Sequence, residues 1–246
     1  MHEKLKKKYG QNFLIDKNIL RKIVNLINIE NLNILEIGPG NGKLTDEIII
    51  TKKPRKLTIV EIDNRMVDIL SLKYSKLKFI NIINFDILKY QINEKYDLVI
   101  SNLPYNISSQ ILVKLSLLNH NPKMLILMFQ KEFAHRLLES KLNSINSLIN
   151  CFYDIKFNFN VTKKCFRPIP KIDSTVLTFI KKEKNLLNEN EINSFIEFKR
   201  KLFSYKRKTL GKLLKEYDVN GEDFLSLRVE NLKLVNLIKL FRKINF

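Results

Sequence analysis

Apolar and polar residues recur along this chain with two periods, and the switches between them predict its elements. Residues 17–29 carry apolar groups at helical spacing behind Asp16, a residue type suited to cap a helix start. Residues 32–37 form a short apolar strand, 43–50 a helix, 57–62 a strand and 65–73 a helix. Residues 79–83 and 98–101 read as strands, 108–118 as a helix, and 124–129 as a strand followed by a helix through 138. Such alternation builds a parallel sheet with helices on both faces. Residues 151–161 and 174–180 return to a two-residue period and read as a late antiparallel pair at the sheet edge. Residues 181–190 are polar and charged, the best linker candidate. Beyond them Ile192, Phe195, Ile196 and Lys199, and then residues 225–240, follow helical spacing. The expected fold class is α/β, with the sheet over residues 1–183 and a small all-helical C-terminal domain over 184–246.

Composition narrows the classes. The chain has 246 residues, 45% of them hydrophobic, enough for a sizeable core. Its apolar runs fall far short of the ~18 residues of a membrane span, and the N-terminal lysines precede no apolar signal region. Cys151 and Cys165 have neither metal-like nor redox spacing, so no metal and a reducing cytoplasm are expected. Net charge is +19, part of which follows from a diffuse enrichment in Lys, Asn and Ile. Its distribution says more. Residues 34–100 hold 11 basic and 9 acidic groups, whereas 101–246 hold 26 and 13. Lys199, Arg200, Lys201, Lys206, Arg207, Lys208 and Lys212 cluster with no acid among them. A localised basic surface suits a phosphate backbone, ahead of a merely solvated face or a membrane surface.

The candidate chemistry lies at strand ends. Gly38-Pro39-Gly40-Asn41-Gly42 follows the first long strand and opens a helix, a place where backbone can approach a ligand. The dinucleotide pattern fails because Lys43 occupies its last glycine position. The P-loop pattern fails at Ile37 and Leu44. On its own the loop is equally well a plain tight turn. Glu61 and Asp63, about 20 residues on, end the next strand and are placed for ribose hydroxyls, although helix capping is the better account of Asp63. Asp86 follows a third strand and, taken alone, also reads as an exposed loop acid. Acids at successive strand ends suit a nucleoside without phosphates and a positively charged ligand. S-adenosylmethionine has both properties.

Asn102-Leu103-Pro104-Tyr105 closes the 98–101 strand. Pro104 holds Leu103 extended, which presents backbone carbonyls, and the Asn102 amide oxygen adds a further acceptor. Acceptors on an exocyclic amine favour the pyramidal nitrogen of a methyl-transfer transition state. The Tyr105 ring can stack on a base, a contact worth ~1–3 kcal/mol; a core role for it is the alternative. Phe166, in the proline-stiffened basic segment 163–171, is the candidate second face, or else a ring tucked beneath a loop. A base so held must be unpaired or flipped.

Together these residues resemble the small-subunit ribosomal RNA adenine dimethyltransferase family. The resemblance runs through Tyr9-Gly10-Gln11-Asn12-Phe13-Leu14, Leu35-Glu36-Ile37-Gly38-Pro39-Gly40, Val60-Glu61-Ile62-Asp63, Asp86, and Asn102-Leu103-Pro104-Tyr105. It continues through Phe129-Gln130-Lys131-Glu132, Pro170-Lys171-Ile172-Asp173-Ser174, Lys206-Arg207-Lys208-Thr209-Leu210 and Arg228-Val229-Glu230-Asn231-Leu232. Gln110, where a proline is common, and a short N-terminal extension depart from the pattern. The resemblance implies a Rossmann-like methyltransferase sheet and dimethylation of two adjacent adenines near the small-subunit rRNA 3′ end. It implies S-adenosylmethionine contacts at Asn12, Leu14, Gly38, Glu61, Asp86 and Asn102, with Gly40 in the same loop. Catalysis falls to Asn102, Leu103, Pro104, Tyr105 and Phe166. RNA contact falls to Lys199, Arg200, Lys201, Lys206, Arg207 and Lys208. A monomer acting on assembling subunits is expected. The alternatives are a large-subunit adenine dimethyltransferase and a non-catalytic assembly factor.

Overall fold

The computed structural model describes residues 12–205, 207–217, 219 and 223–244. In chain order the longer elements of the first part are β1 (Phe13–Leu14), α1 (Lys17–Val24), β2 (Asn33–Ile37), α2 (Lys43–Lys52), β3 (Lys56–Glu61), α3 (Asn64–Tyr74) and β4 (Ile80–Asn84). They are followed by β5 (Leu98–Asn102), α4 (Ser108–Ser116), β6 (Met124–Gln130), α5 (Lys131–Leu138), α6 (Asn146–Ile149), β7 (Tyr153–Val161), β8 (Phe166–Arg167) and β9 (Ser174–Lys181). The C-terminal part adds α7 (Ile192–Ser204), α8 (Leu210–Leu213) and α9 (Leu234–Lys243).

Seven strands form one sheet in the order β4-β3-β2-β5-β6-β9-β7. The five from β4 to β6 are parallel, and β9 pairs antiparallel with β6. Asn158 bonds Thr178 and Asn160 bonds Thr175, so β7 runs opposite to β9, as the two-residue period predicts. Residues of one parity in these strands (Ile34, Leu57, Ile59, Leu98, Ile100, Ile126, Met128) pack with Leu20 and Ile23 of α1, Leu44 and Ile48 of α2, and Leu70 of α3. Those of the other parity (Leu35, Ile37, Val99, Leu125, Leu127, Phe129) are buried as well. Burial on both faces is why the central strands read as unbroken apolar runs.

The parallel order reverses between β2 and β5. Chain order runs outward through β3 and β4 on one side and through β6 on the other. In open α/β sheets this switch point leaves a crevice beyond the carboxyl ends of the strands, where ligands bind. The Gly38 loop and the Asn102 corner flank it.

Several expectations are corrected. Helix α1 stops at Val24, because Leu26 and Ile27 donate to Ile23 and Val24 in a tighter i→i+3 turn; Ile27 stays buried, so the periodicity outlasts the helix. Strands β1 and β8 pair antiparallel as a separate two-residue ladder, too short to show a period. Residues 181–190 are not a free linker. The N–H groups of Lys182 and Leu186 donate to the Phe152 and Cys151 carbonyls, and Leu187 is buried. Of residues 225–240 only those from Leu234 onward are α-helical, short 3₁₀ turns coming first.

The chain divides into two compact units, but not at 183/184. Among the described residues, those up to Ala134 with Ile155–Lys181 form the first, and His135–Asp154 with those from Lys182 onward form the second. The segment at 135–154 joins the second unit through specific bonds: Leu142 N–H donates to Glu230 O at 2.9 Å and Lys199 Nζ to Ser144 O at 2.8 Å. The aromatic trio Phe195, Phe198 and Phe241 centres that unit, with ring centroids 5.3 to 6.4 Å apart.

Candidate active site

A cavity of about 940 Å³, its open mouth included, lies at the switch point. Asn12, Leu14, Gly38, Gly40, Glu61, Asp86, Asn102, Leu103, Pro104 and Tyr105 all line it. Residues as far apart in sequence as Asn12 and Tyr105 are thus brought to one space by the sheet order.

The glycine loop is shaped by close approach. Gly40 has φ +57°, and a Cβ there would sit 2.4 Å from Phe13 Cε1. Only a glycine lets β1 lie against the loop. Gly42 has φ +78°, and a Cβ would meet the Tyr74 hydroxyl at 2.6 Å; that hydroxyl instead donates to Gly42 O.

Three acids follow the loop at the ends of the next strands, and one of them bonds it. Glu61, buried at the end of β3, accepts the Gly40 N–H at 3.1 Å on one oxygen and the Ile62 and Asp63 N–H groups at 2.9 Å on the other. Burial raises its pKa, and these three backbone donors oppose the rise. A carboxylate offers roughly four acceptor positions, so room for one more donor remains. Asp63 caps α3 and pairs with Arg65, the role capping predicts for it. Asp86 caps the turn that follows it through Leu88 N–H at 2.9 Å and faces the cavity half-buried.

Glu36 is a site residue to which the sequence reading gave no role. It is 1% exposed, lines the cavity, and accepts from the Thr45 hydroxyl at 2.7 Å on one oxygen. Its other oxygen is buried with no hydrogen-bond partner among the described residues. Burial drives its pKa up to about 8, against the Thr45 bond and reinforced by Asp46 and Glu61. The signal was present: a lone acid inside the apolar run Ile34-Leu35-Glu36-Ile37 must be either neutral or partnered. Phe13, Ile62 and Phe85, the last two 41% and 48% exposed, give the cavity apolar walls.

At the other flank Asn102 Nδ2 donates to Asn12 O at 2.9 Å. The amide is therefore oriented, with its nitrogen committed to protein and its oxygen left as an acceptor. Tyr105 is half-buried, and its hydroxyl lies 2.6 Å from Ser174 Oγ.

Phe166 is not in the cavity. It is fully buried in the core beside Leu14, its partner in the β1–β8 ladder. The alternative reading, a ring beneath a loop, is what the structure shows; the short ladder turns it inward while Lys163, Lys164 and Arg167 stay exposed.

The basic cluster belongs to the second unit. Lys199 is corrected: it is 7% exposed, and its ammonium donates to the carbonyl and hydroxyl of Ser144. It occupies the buried face of α7 with Phe195, Phe198 and Leu202, so it stitches the unit internally instead of facing a phosphate. Arg200, Lys201, Arg207 and Lys208 are exposed. Lys201 and Lys208 lie over the Tyr217 and Tyr205 rings at 5.1 and 5.0 Å. Lys206 and the Tyr9–Gly10–Gln11 part of the N-terminal motif lie outside the described residues. Among the described residues no helix is long and apolar enough to cross a membrane, and no group of three or more His, Cys, Asp or Glu could hold a metal.

Compared with known proteins, the ribosomal RNA adenine dimethylase family model matches residues 2–242. The chain is similar to the ribosomal RNA small subunit methyltransferase A of Mycoplasmopsis pulmonis, 37% identical over 96% of this chain and 97% of that one. It is 40% identical to the protein of the same name from Mycoplasma capricolum, with 98% of each covered. A crystal structure of a dimethyladenosine transferase from Plasmodium falciparum superposes with a TM-score of 0.83 at 28% identity, covering 95% of this chain and 97% of the other. That of the 23S rRNA methyltransferase ErmE, with a TM-score of 0.75 at 22% identity over 95% and 100%, shares the fold.

Proposed function

The chain belongs to the ribosomal RNA adenine dimethylase family, and we propose that the cavity between β2 and β5 is where its cofactor and the target base meet. The protein is an enzyme that dimethylates adenine in small-subunit rRNA with S-adenosylmethionine as methyl donor. Relatives named for the small subunit, matched over nearly their whole length, disfavour the large-subunit alternative.

The cavity residues fit such a cofactor. A buried carboxyl oxygen without a partner at Glu36 and further acids at Glu61 and Asp86 suit a cationic nucleoside and repel a phosphate. When bound, S-adenosylmethionine supplies an electrophilic methyl group. We assign Asn12, Leu14, Gly38, Gly40, Glu61, Asp86 and Asn102 to holding it. Glu61 has an acceptor position free for a ribose hydroxyl, and Ile62 and Phe85 offer apolar walls to a purine.

The observation that carries the catalytic reading is the orientation of Asn102. Its nitrogen is fixed on Asn12 O, so its oxygen is set as an acceptor at the end of β5. With the Leu103 carbonyl, which Pro104 biases away from helical bonding, this acceptor can grip the hydrogens of an adenine N6 amine and favour its pyramidal, nucleophilic form. Methyl transfer would form the nitrogen–carbon bond as the sulfonium carbon–sulfur bond breaks and S-adenosylhomocysteine leaves; the amide and carbonyl oxygens would orient the amine, its surplus proton would pass to water, and no strongly basic side chain is needed. Tyr105 supplies the stacking face. The exposed Arg200, Lys201, Arg207 and Lys208 supply phosphate contacts in the second unit. The reading includes two adjacent adenines near the rRNA 3′ end as targets, a monomeric enzyme, and action in the cytoplasm.

The test is methyl transfer from labelled cofactor to unmethylated small subunits, with products mapped by mass spectrometry. Dimethylated adjacent adenines are expected for the native chain. Asn102→Ala should lower kcat by about 10²–10³-fold, the scale of losing a preorganised transition-state partner; full activity in that variant would sink the role given to the amide.

A further inference from the structure

The residue whose ring receives the base is held at its backbone and at its ring tip. The Tyr105 carbonyl accepts the Ser108 hydroxyl at 3.1 Å, in the first turn of α4. The Tyr105 phenolic oxygen lies 2.6 Å from Ser174 Oγ. Ser174 is fully buried and is the first residue of β9, where antiparallel pairing sets it opposite Gln130 of β6. It cannot follow the ring, so the ring must follow it. A tyrosine side chain turns on χ1 and χ2. A bond at its far tip fixes where the ring axis points and leaves only rotation about that axis to the neighbours.

The residue before Ser174 is tied as firmly. Asp173 accepts the Lys163 N–H on its carboxylate at 2.9 Å and the Lys131 N–H on its carbonyl at 2.9 Å. The basic segment 163–173, with Lys163, Lys164, Arg167 and Lys171 exposed, therefore closes on the same strand end that anchors the tyrosine. The β6–β9 strand pair, not the Asn-Leu-Pro-Tyr loop itself, provides the fixed frame for the stacking ring.

We propose that Ser174 is a positioning residue for methyl transfer: its hydroxyl aims the Tyr105 ring, so that the orientation of the ring and not only its presence sets the rate. The inference rests on the reading of Tyr105 as the stacking face. A neutral hydroxyl pair outside the cofactor contacts predicts a loss confined to the step that needs the base aligned.

Kinetics on unmethylated small subunits test this, with calorimetric titration of S-adenosylhomocysteine on the same preparations. Tyr105→Phe and Ser174→Ala should each lower kcat about three- to tenfold, the worth of one hydrogen bond. The double variant should lose no more than either single one, because the same bond is missing in all three. Affinity for S-adenosylhomocysteine should stay within about twofold throughout, which also shows that each variant is folded. Should Ser174→Ala fail to fold, Tyr105→Phe decides alone. Wild-type kcat in Tyr105→Phe, or single losses that multiply in the double variant, would overturn the proposal. Tyr105→Ala separates the inference from the reading beneath it. Full activity there removes the stacking role and the tether together; impairment there with wild-type Tyr105→Phe and Ser174→Ala removes only the tether.

Discussion

The two ends of the parallel sheet both carry acids, and they use them in opposite ways. At the amino ends of the strands Asp97 accepts the Asn33 N–H at 3.0 Å and pairs with Lys123 at 3.0 Å and Arg55 at 3.7 Å; Glu94 pairs with Lys56 at 2.7 Å. Backbone and cationic partners hold the Asp97 carboxyl below the usual carboxylate range. At the carboxyl ends Glu36 and Glu61 are buried with no cationic side chain bonded to them among the described residues, and burial pushes both upward. The first arrangement is complete as it stands. The second is short of positive charge and of hydrogen-bond donors, and a cationic nucleoside supplies both. Acids alone do not mark a ligand site in this fold; acids left without a cationic partner in a cavity do.

The largest test of that contrast is Glu61→Ala against Asp97→Ala. Removing Glu61 takes away the acceptor proposed for the ribose and leaves the Gly40, Ile62 and Asp63 N–H groups without their carboxylate. Affinity for S-adenosylhomocysteine, measured by calorimetry, should fall on the order of 100-fold, as expected for a few charge-assisted hydrogen bonds. Glu61→Gln, which keeps one acceptor oxygen, should lose about tenfold. Asp97→Ala, at the far end of the same sheet, should leave the constant within about twofold, since distant sites act independently. Equal losses at both ends would mean the contrast reflects stability and not ligand binding.

Much of this end of the molecule was legible in the chain. The strand-helix alternation, the glycine loop, Glu61, Asp86 and the Asn102 corner all sit where a period or a motif placed them, because each depends on local sequence. What was not legible depends on long-range packing. Among lysines and prolines Phe166 reads as a base-stacking ring, yet a ladder of two residues with Phe13 and Leu14 turns it into the core. In sequence Lys199 sits among basic neighbours, yet it falls on the apolar face of α7 and finds Ser144, 55 positions away. Residues 135–154 join the second unit through bonds to Glu230 and Lys199, which no linker composition announces. Glu36 carries no task in the motif it belongs to, although its burial conflict is visible in the strand pattern.

The second test uses that conflict and concerns pH. The folded chain holds the Glu36 pKa at about 8, against an ordinary value of 4.5. The fold therefore binds a proton that the unfolded chain releases. Its contribution is fully present below about pH 4.5, declines as pH rises, and is gone once pH passes about 8. The slope approaches about 1.4 kcal/mol per pH unit between those values. Melting temperature without cofactor should fall between pH 5.5 and 8.5 in the native chain and flatten in Glu36→Gln, which keeps the shape without the titration. A variant with an unchanged slope would mean that Glu36 already has a counter-charge and that the carboxyl ends are not short of one.

The smallest expected effect sits at the other end and has the opposite sign. The Asp97 pKa is lowered in the fold by the Asn33 N–H, with Lys123 and Arg55 adding to it. Its stabilisation is therefore present above the ordinary carboxylate pKa and is lost as pH falls through the lower folded value. Arg55 and Lys123 are 61% and 77% exposed, so solvent screens the ion pairs and the backbone hydrogen bond carries most of the effect. Asp97→Ala should cost roughly 1 kcal/mol at pH 7, read from urea unfolding, and progressively less as the medium is made acidic. Stability should thus rise with pH through Asp97 and fall with pH through Glu36, two carboxyls on neighbouring strands of one sheet. If both variants flattened the profile in the same direction, partnering would not be what separates the two ends, and the assignment of the carboxyl end to a cationic ligand would lose its electrostatic ground.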